Sequence, residues 1–159
     1  MRFIAGLLSV VVLWAGLAPA RAETGDAWPV PPSRTVLASP YGTLSVHDSA
    51  YVYESTLMLD GADVDPLVKG LITISYAYRM KNRSIALISV DTGDTSCPIR
   101  YHWIALRKSG YRMTEAFGSC SPKIRVAAHG HTLVLETPNA DDPDKIDRWS
   151  YDGRSVKRR

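Results

Sequence analysis

His129 and His131 stand two residues apart, a spacing that puts both imidazoles on one face of a strand and that metal sites use. Gly130 between them reads as a turn, where both rings are solvated. A metal would also need His47, His102 or a carboxylate brought in by folding. His129 and His131 are therefore the candidate ligands of the chain, exposed turn histidines are their ordinary reading, and no metal or other cofactor is expected. Two acidic loops are the next candidates: Asp60, Asp63 and Asp65, then Asp141, Asp142, Asp144 and Asp147. Their oxygens are dense enough for Ca²⁺, yet neither loop has the alternating order of a calcium-binding hand, and Pro66 and Pro143 suit plain solvated turns.

Covalent chemistry has less support. Gly118-Ser119-Cys120 lacks the glycine-flanked elbow that exposes a nucleophilic serine. Glycoside hydrolysis needs two carboxyl groups about 5 to 9.5 Å apart in a cleft, and among 16 acids scattered over turns no pair stands out. No glycine-rich phosphate loop and no strand-to-helix dinucleotide motif is present. Tyrosine and tryptophan far outnumber phenylalanine, with Tyr41, Tyr51, Tyr53, Tyr76, Tyr78, Tyr101, Trp103, Tyr111, Trp149 and Tyr151 in the domain. Such rings suit surfaces that are part apolar and part wet, including sugar- and protein-binding faces; they also fill β-sheet cores and rims, which is the plainer reading.

Cys97 and Cys120 are the only cysteines, and the start of the chain says what becomes of them. Arg2 supplies a positive charge, Phe3 to Ala18 carry none, and Ala20-Arg21-Ala22 offers the small residues a signal peptidase reads. The apolar run falls short of the roughly 20 residues that span a bilayer. Residues 1–22 are thus read as a cleavable signal, leaving Glu23 at the N-terminus, no membrane span after cleavage, and a periplasmic or extracellular address. An even cysteine count in an oxidising compartment favours a Cys97–Cys120 bridge over free thiols or half a metal site.

Losing the signal also changes the charge. The full chain has 19 Lys plus Arg against 16 Asp plus Glu; without Arg2 and Arg21 the surplus is one. Arg154, Lys157, Arg158 and Arg159 crowd the last six residues, so the body before them is net acidic. That body does not suit a nucleic acid, and the basic end reads as a solvated tail.

The elements that must position these residues are strands. Pro29, Pro31, Pro32 and Pro40 make residues 23–40 an extended lead-in, within which the place of Trp28 is open. Residues 41–157 then follow a period of two. Ile72, Ile74, Tyr76, Tyr78 and Met80 share one side, and Lys81-Asn82-Arg83-Ser84 turns the chain into the mostly apolar Ile85 to Val90. Thr43 to His47 pairs with Tyr51 to Leu59, Ile99 to Arg107 with Tyr111 to Phe117, and Lys123 to Ala128 with Thr132 to Thr137. Ile146 to Tyr151 pairs with Arg154 to Lys157 around Asp152-Gly153, a type I′ turn signal. A helix is conceivable only at Asp65 to Gly70, as a single turn. The expected fold is an all-β antiparallel sandwich or meandering barrel of about nine or ten short strands with one disulfide; unequal hairpin lengths argue against a solenoid or propeller.

Cys97-Pro98, Tyr101, Trp103, Phe117-Gly118-Ser119-Cys120-Ser121 and the run from Trp149 to Gly153 together resemble small exported bacterial β proteins of unassigned function. The resemblance covers roughly the last 65 residues and implies a bacterial envelope, with no catalytic or ligand residue to carry over. The functional expectation is a non-catalytic exported domain that binds another protein or an envelope ligand through exposed loops or a strand edge, as inhibitors and immunity factors do. The alternative is a small metal-dependent or hydrolytic envelope enzyme.

Overall fold

The computed structural model describes residues 28–50 and 53–159. The signal segment 1–22, the start of the lead-in, and Tyr51 and Val52 lie outside the described residues.

Twelve strands are present among the described residues, and no helix. They form three antiparallel sheets of four, each a meander of neighbours in sequence. The first holds β1 (Val36–Ser39), β2 (Gly42–Asp48), β3 (Ser55–Leu59) and β4 (Ala62–Asp63); the second holds β5 (Leu71–Met80), β6 (Arg83–Asp91), β7 (Ile99–Arg107) and β8 (Gly110–Met113). The third holds β9 (Arg125–His129), β10 (Thr132–Pro138), β11 (Ile146–Tyr151) and β12 (Val156–Arg158), with β12 and β9 at its edges.

All-β architecture, antiparallel pairing and the disulfide agree with the sequence; the single sandwich or barrel of nine or ten strands does not. The reason lies in β6. Every residue from Ser84 to Val90 is buried, so this strand hides both faces. A continuous apolar run is the mark of a strand covered on two sides, and it requires a layer above and a layer below. One core lies between the first and second sheets, where Leu44 and Leu57 meet Ile74, Ile88, Ile104 and Leu106. The other lies between the second and third, where Leu87, Tyr101 and Trp103 meet Leu133, Leu135 and Tyr151. Each fully buried Leu or Ile contributes roughly 1.5–3 kcal/mol to the layer it joins.

β5 also departs from strict alternation. Its register with β6 jumps from Ile74↔Ile88 to Tyr76↔Leu87, leaving Ser75 as the extra residue of a bulge. Ile72 and Ile74 therefore enter the first core, while Tyr76, Tyr78 and Met80 turn to the second. The Ser75 hydroxyl, buried by the bulge, bonds that of Ser89. The two cores are thus served by one strand that changes face midway.

The segment before β5 takes no helical turn, because Val64 and Val68 are drawn into the first core on either side of Pro66. The last residues of the Pro-rich stretch form β1, which begins beyond its cluster of prolines and pairs with β2. Trp28 folds back, with the Arg125 guanidinium 4.8 Å above its ring.

Candidate functional site

Of the residues with candidate chemistry, the histidines separate. His129 closes β9 opposite Thr132, while His131 belongs to the two-residue turn after it, so they do not share a strand face. His47 is exposed on β2 in another sheet, and His102 sits on β7. Among the described residues no three His, Cys, Asp or Glu side chains converge as metal ligands. Burial lowers the His102 pKa below the ordinary histidine value, against the Thr114 carbonyl, which accepts from Nδ1 at 2.9 Å. Burial disfavours the charged form of the ring, whose bond to Thr114 pins the exit of β8.

Two of the loop acids have partners within the fold. Asp60 Oδ1 accepts the Thr43 N–H at 2.8 Å, and Asp142 pairs with Lys145 at 2.9 Å. Asp147 is a different case, because on β11 the period of two places it with Trp149 and Tyr151 on the inward face. Its carboxylate accepts from the Ser119 hydroxyl at 2.5 Å, from Asn139 Nδ2 at 3.2 Å, and from Arg158 Nη2 at 2.8 Å. Burial alone would raise its pKa; the hydrogen bonds from Ser119, Arg158 and Asn139 outweigh burial and hold it below the ordinary carboxylate value. Ser119 also receives the Trp149 indole N–H at 3.4 Å. This serine is bound to a carboxylate and an indole.

Arg158 corrects the reading of a solvated basic tail. Val156–Arg158 pairs with β11, the Arg158 guanidinium lies 5.6 Å from the Trp149 ring as well as on Asp147, and the Arg159 N–H donates to the Arg148 carbonyl at 2.8 Å. The tail is an edge strand because an inward carboxylate calls it back.

The disulfide between Cys97 and Cys120 is formed. It ties the approach to β7 to the segment leaving β8, and the Tyr101 hydroxyl, kept protonated by burial, donates to the Ser121 carbonyl at 2.8 Å. Phe117 bonds back to Tyr101, so the chain after β8 is held against β7.

These ties shape a groove. β8 is an edge of the second sheet and β12 an edge of the third. Between them runs a cleft of about 490 Å³ whose walls are Met113 to Phe117 on one side and Trp149, Ser155 and Val156 on the other. Phe117 and Trp149 meet across its floor with ring centroids 5.8 Å apart. Arg112 and Arg154 stand in the groove and also line a second cleft, of about 450 Å³, with Arg107, Ser109, Gly110 and Tyr111.

Arginine at this end of the molecule is what the sequence could not reveal, because the residues come from three separate hairpins. Arg83 follows the β5–β6 turn, Arg107 precedes and Arg112 follows the β7–β8 turn, and Arg154 lies in the β11–β12 loop. That loop is wider than the type I′ turn expected from Asp152-Gly153. Tyr151 pairs with Val156, and the Asp152 carboxylate accepts the backbone N–H groups of Arg154 and Ser155, each at 2.8 Å. Four residues therefore stand outside the ladder, and Arg154 is freed from it.

The fold defines a class, a stack of three four-stranded antiparallel meanders clipped by one disulfide, and its edges define an amphipathic groove with arginines at one end. No known family, characterised protein or solved structure matches the chain.

Proposed function

We propose that this chain is an exported, non-catalytic binding domain that seats an extended segment of another protein in the groove between β8 and β12. The observation that carries the reading is the groove itself: two strand edges, an aromatic floor and two arginine side chains line one cleft. An open edge presents unpaired backbone groups that an extended segment can complete, while the apolar floor and the arginines select its side chains. The disulfide is compatible with an oxidising compartment outside the cytoplasm. The leading segment 1–22 and the likeness to small exported bacterial β proteins support a bacterial envelope as the place, and inhibitor or immunity factors as the kind of protein.

Ala116 is exposed on the groove wall and takes part in no ring or side-chain hydrogen bond, so it can be changed without disturbing the cores. Affinity capture from envelope extract should retain a specific protein on the native domain and lose it on Ala116→Arg, with an unchanged melting curve. Equal capture by both would refute the groove as the binding face.

A further inference from the structure

We infer that the cleft beside the groove, lined by Arg107, Arg112 and Arg154 and with Arg83 close by on Gly153, binds a phosphate monoester dianion. This goes beyond the protein-binding reading: Arg112 and Arg154 line both clefts, while Arg107 lines this one and not the groove.

Three observations converge. Gly153 is buried with φ 93°, and a Cβ there would lie 1.9 Å from Arg83 Nη1, so that guanidinium packs directly on the loop backbone. Arg107 Nη2 approaches the same residue from the other strand and reaches the Gly153 carbonyl at 3.4 Å. Two like charges are thus packed on one glycine, with Arg154 next to it and Arg112 on the shared wall.

No carboxylate answers them. Among the described residues none of the four arginines forms an ion pair, and the acids nearby are few. Asp152 has its oxygens on the N–H groups of its own loop and on the Ser155 hydroxyl, and Glu115 lines the neighbouring groove. Asp65 stays off the lining and meets Tyr111 through its backbone N–H at 2.7 Å. Four guanidiniums against Asp152 and Glu115 leave a surplus of two positive charges, which one dianion neutralises.

Tyr151 stands two residues before Gly153. Its ring is wholly buried against Trp103, with centroids 5.6 Å apart, and its hydroxyl has no hydrogen-bond partner among the described residues. Converging guanidiniums without a carboxylate partner are the donor set of an oxyanion site. Planar guanidiniums match phosphate oxygens in pairs, and about 450 Å³ accommodates the phosphate together with a sugar or headgroup.

The test is calorimetric titration of the exported chain at low ionic strength with inorganic phosphate and glucose 6-phosphate, alongside co-sedimentation with phosphatidic acid or phosphatidylcholine vesicles. Saturable binding of a soluble probe, or of the phosphatidic acid vesicles alone, supports the site and tells whether its ligand is free or membrane-borne. Arg107→Ala should weaken that binding about tenfold or more, and Arg107→Ala with Arg154→Ala should abolish it. Both side chains are exposed, so the melting curve without ligand should hold, and Lys157→Ala, outside the cleft, should bind normally. Failure of every phosphate probe overturns the inference, as does binding that survives the double substitution or a preference for a single-stranded oligonucleotide over every monoester. Loss of protein capture in Ala116→Arg with phosphate binding intact keeps this result separate from the groove reading.

Discussion

Replacing Asp147 by Ala should destabilise the domain by about 1–4 kcal/mol, because the carboxylate joins its own strand to the segments of Ser119, Asn139 and Arg158. Its loss leaves the Ser119 hydroxyl, itself buried, without its acceptor, which costs about 1–3 kcal/mol. Arg158 is about half exposed and regains water, so the lost ion pair adds at most about 1 kcal/mol. Against a net stability on the order of 5–15 kcal/mol this is a large fraction, and in a thermal melt followed by circular dichroism at pH 7 it should appear as a fall of roughly 10 °C. The pH dependence has a definite sign. A carboxylate whose pKa is lowered by folding contributes its stability above the unfolded value, near about pH 4, and loses it as pH falls through the folded value. The gap between native protein and Asp147→Ala should therefore be widest at neutral pH and close on acidification below about pH 4. A fall of less than about 2 °C at pH 7, or a gap that widens in acid, would refute the structural role given to Asp147.

Three further outcomes follow from the same geometry. Cys97→Ser should cost about 3 kcal/mol under oxidising conditions through the loop-closure entropy of a 23-residue separation, and a reductant should bring the native protein down to the same melting temperature. Gly70→Ala should be severe, since φ is 133° and a Cβ would fall 2.3 Å from the Asp91 carbonyl oxygen, whereas Leu67→Ala, at an exposed position nearby, should be close to neutral in the same melt. Mass spectrometry of the exported product should give a chain that begins at Glu23 and lacks two hydrogens for its one disulfide; an intact Met1 would end the export argument.

How far the sequence carries is visible in particular elements. The hairpins at Lys81-Asn82 and Lys108-Ser109 are legible, because polar residues interrupt two apolar runs and Asn82 accepts the positive φ that its turn needs. The mostly apolar run of β6 already announces a strand with two covered faces, and taking it as one face of a sandwich loses a whole layer. The bulge at Ser75 leaves no local mark, since Ile74 and Tyr76 look like members of one stripe. Asp147 is legible by alternation with Trp149 and Tyr151, although its acidic neighbours disguise it as part of a solvated loop. The arginine cleft is not legible at all, because Arg83, Arg107 and Arg154 meet only when two sheets stack. Net charge hides it, as a body with more acids than bases can still gather its bases at one end.

The most direct test of the binding account is site-specific photo-crosslinking in the exported protein. A photoreactive side chain at Ala116, in the groove between β8 and β12, should yield a discrete covalent adduct on irradiation, while the same group at Val36, exposed at the far edge of the first sheet, should yield none. An adduct at Val36 with nothing at Ala116 would contradict the account, for the partner would then sit on the opposite layer.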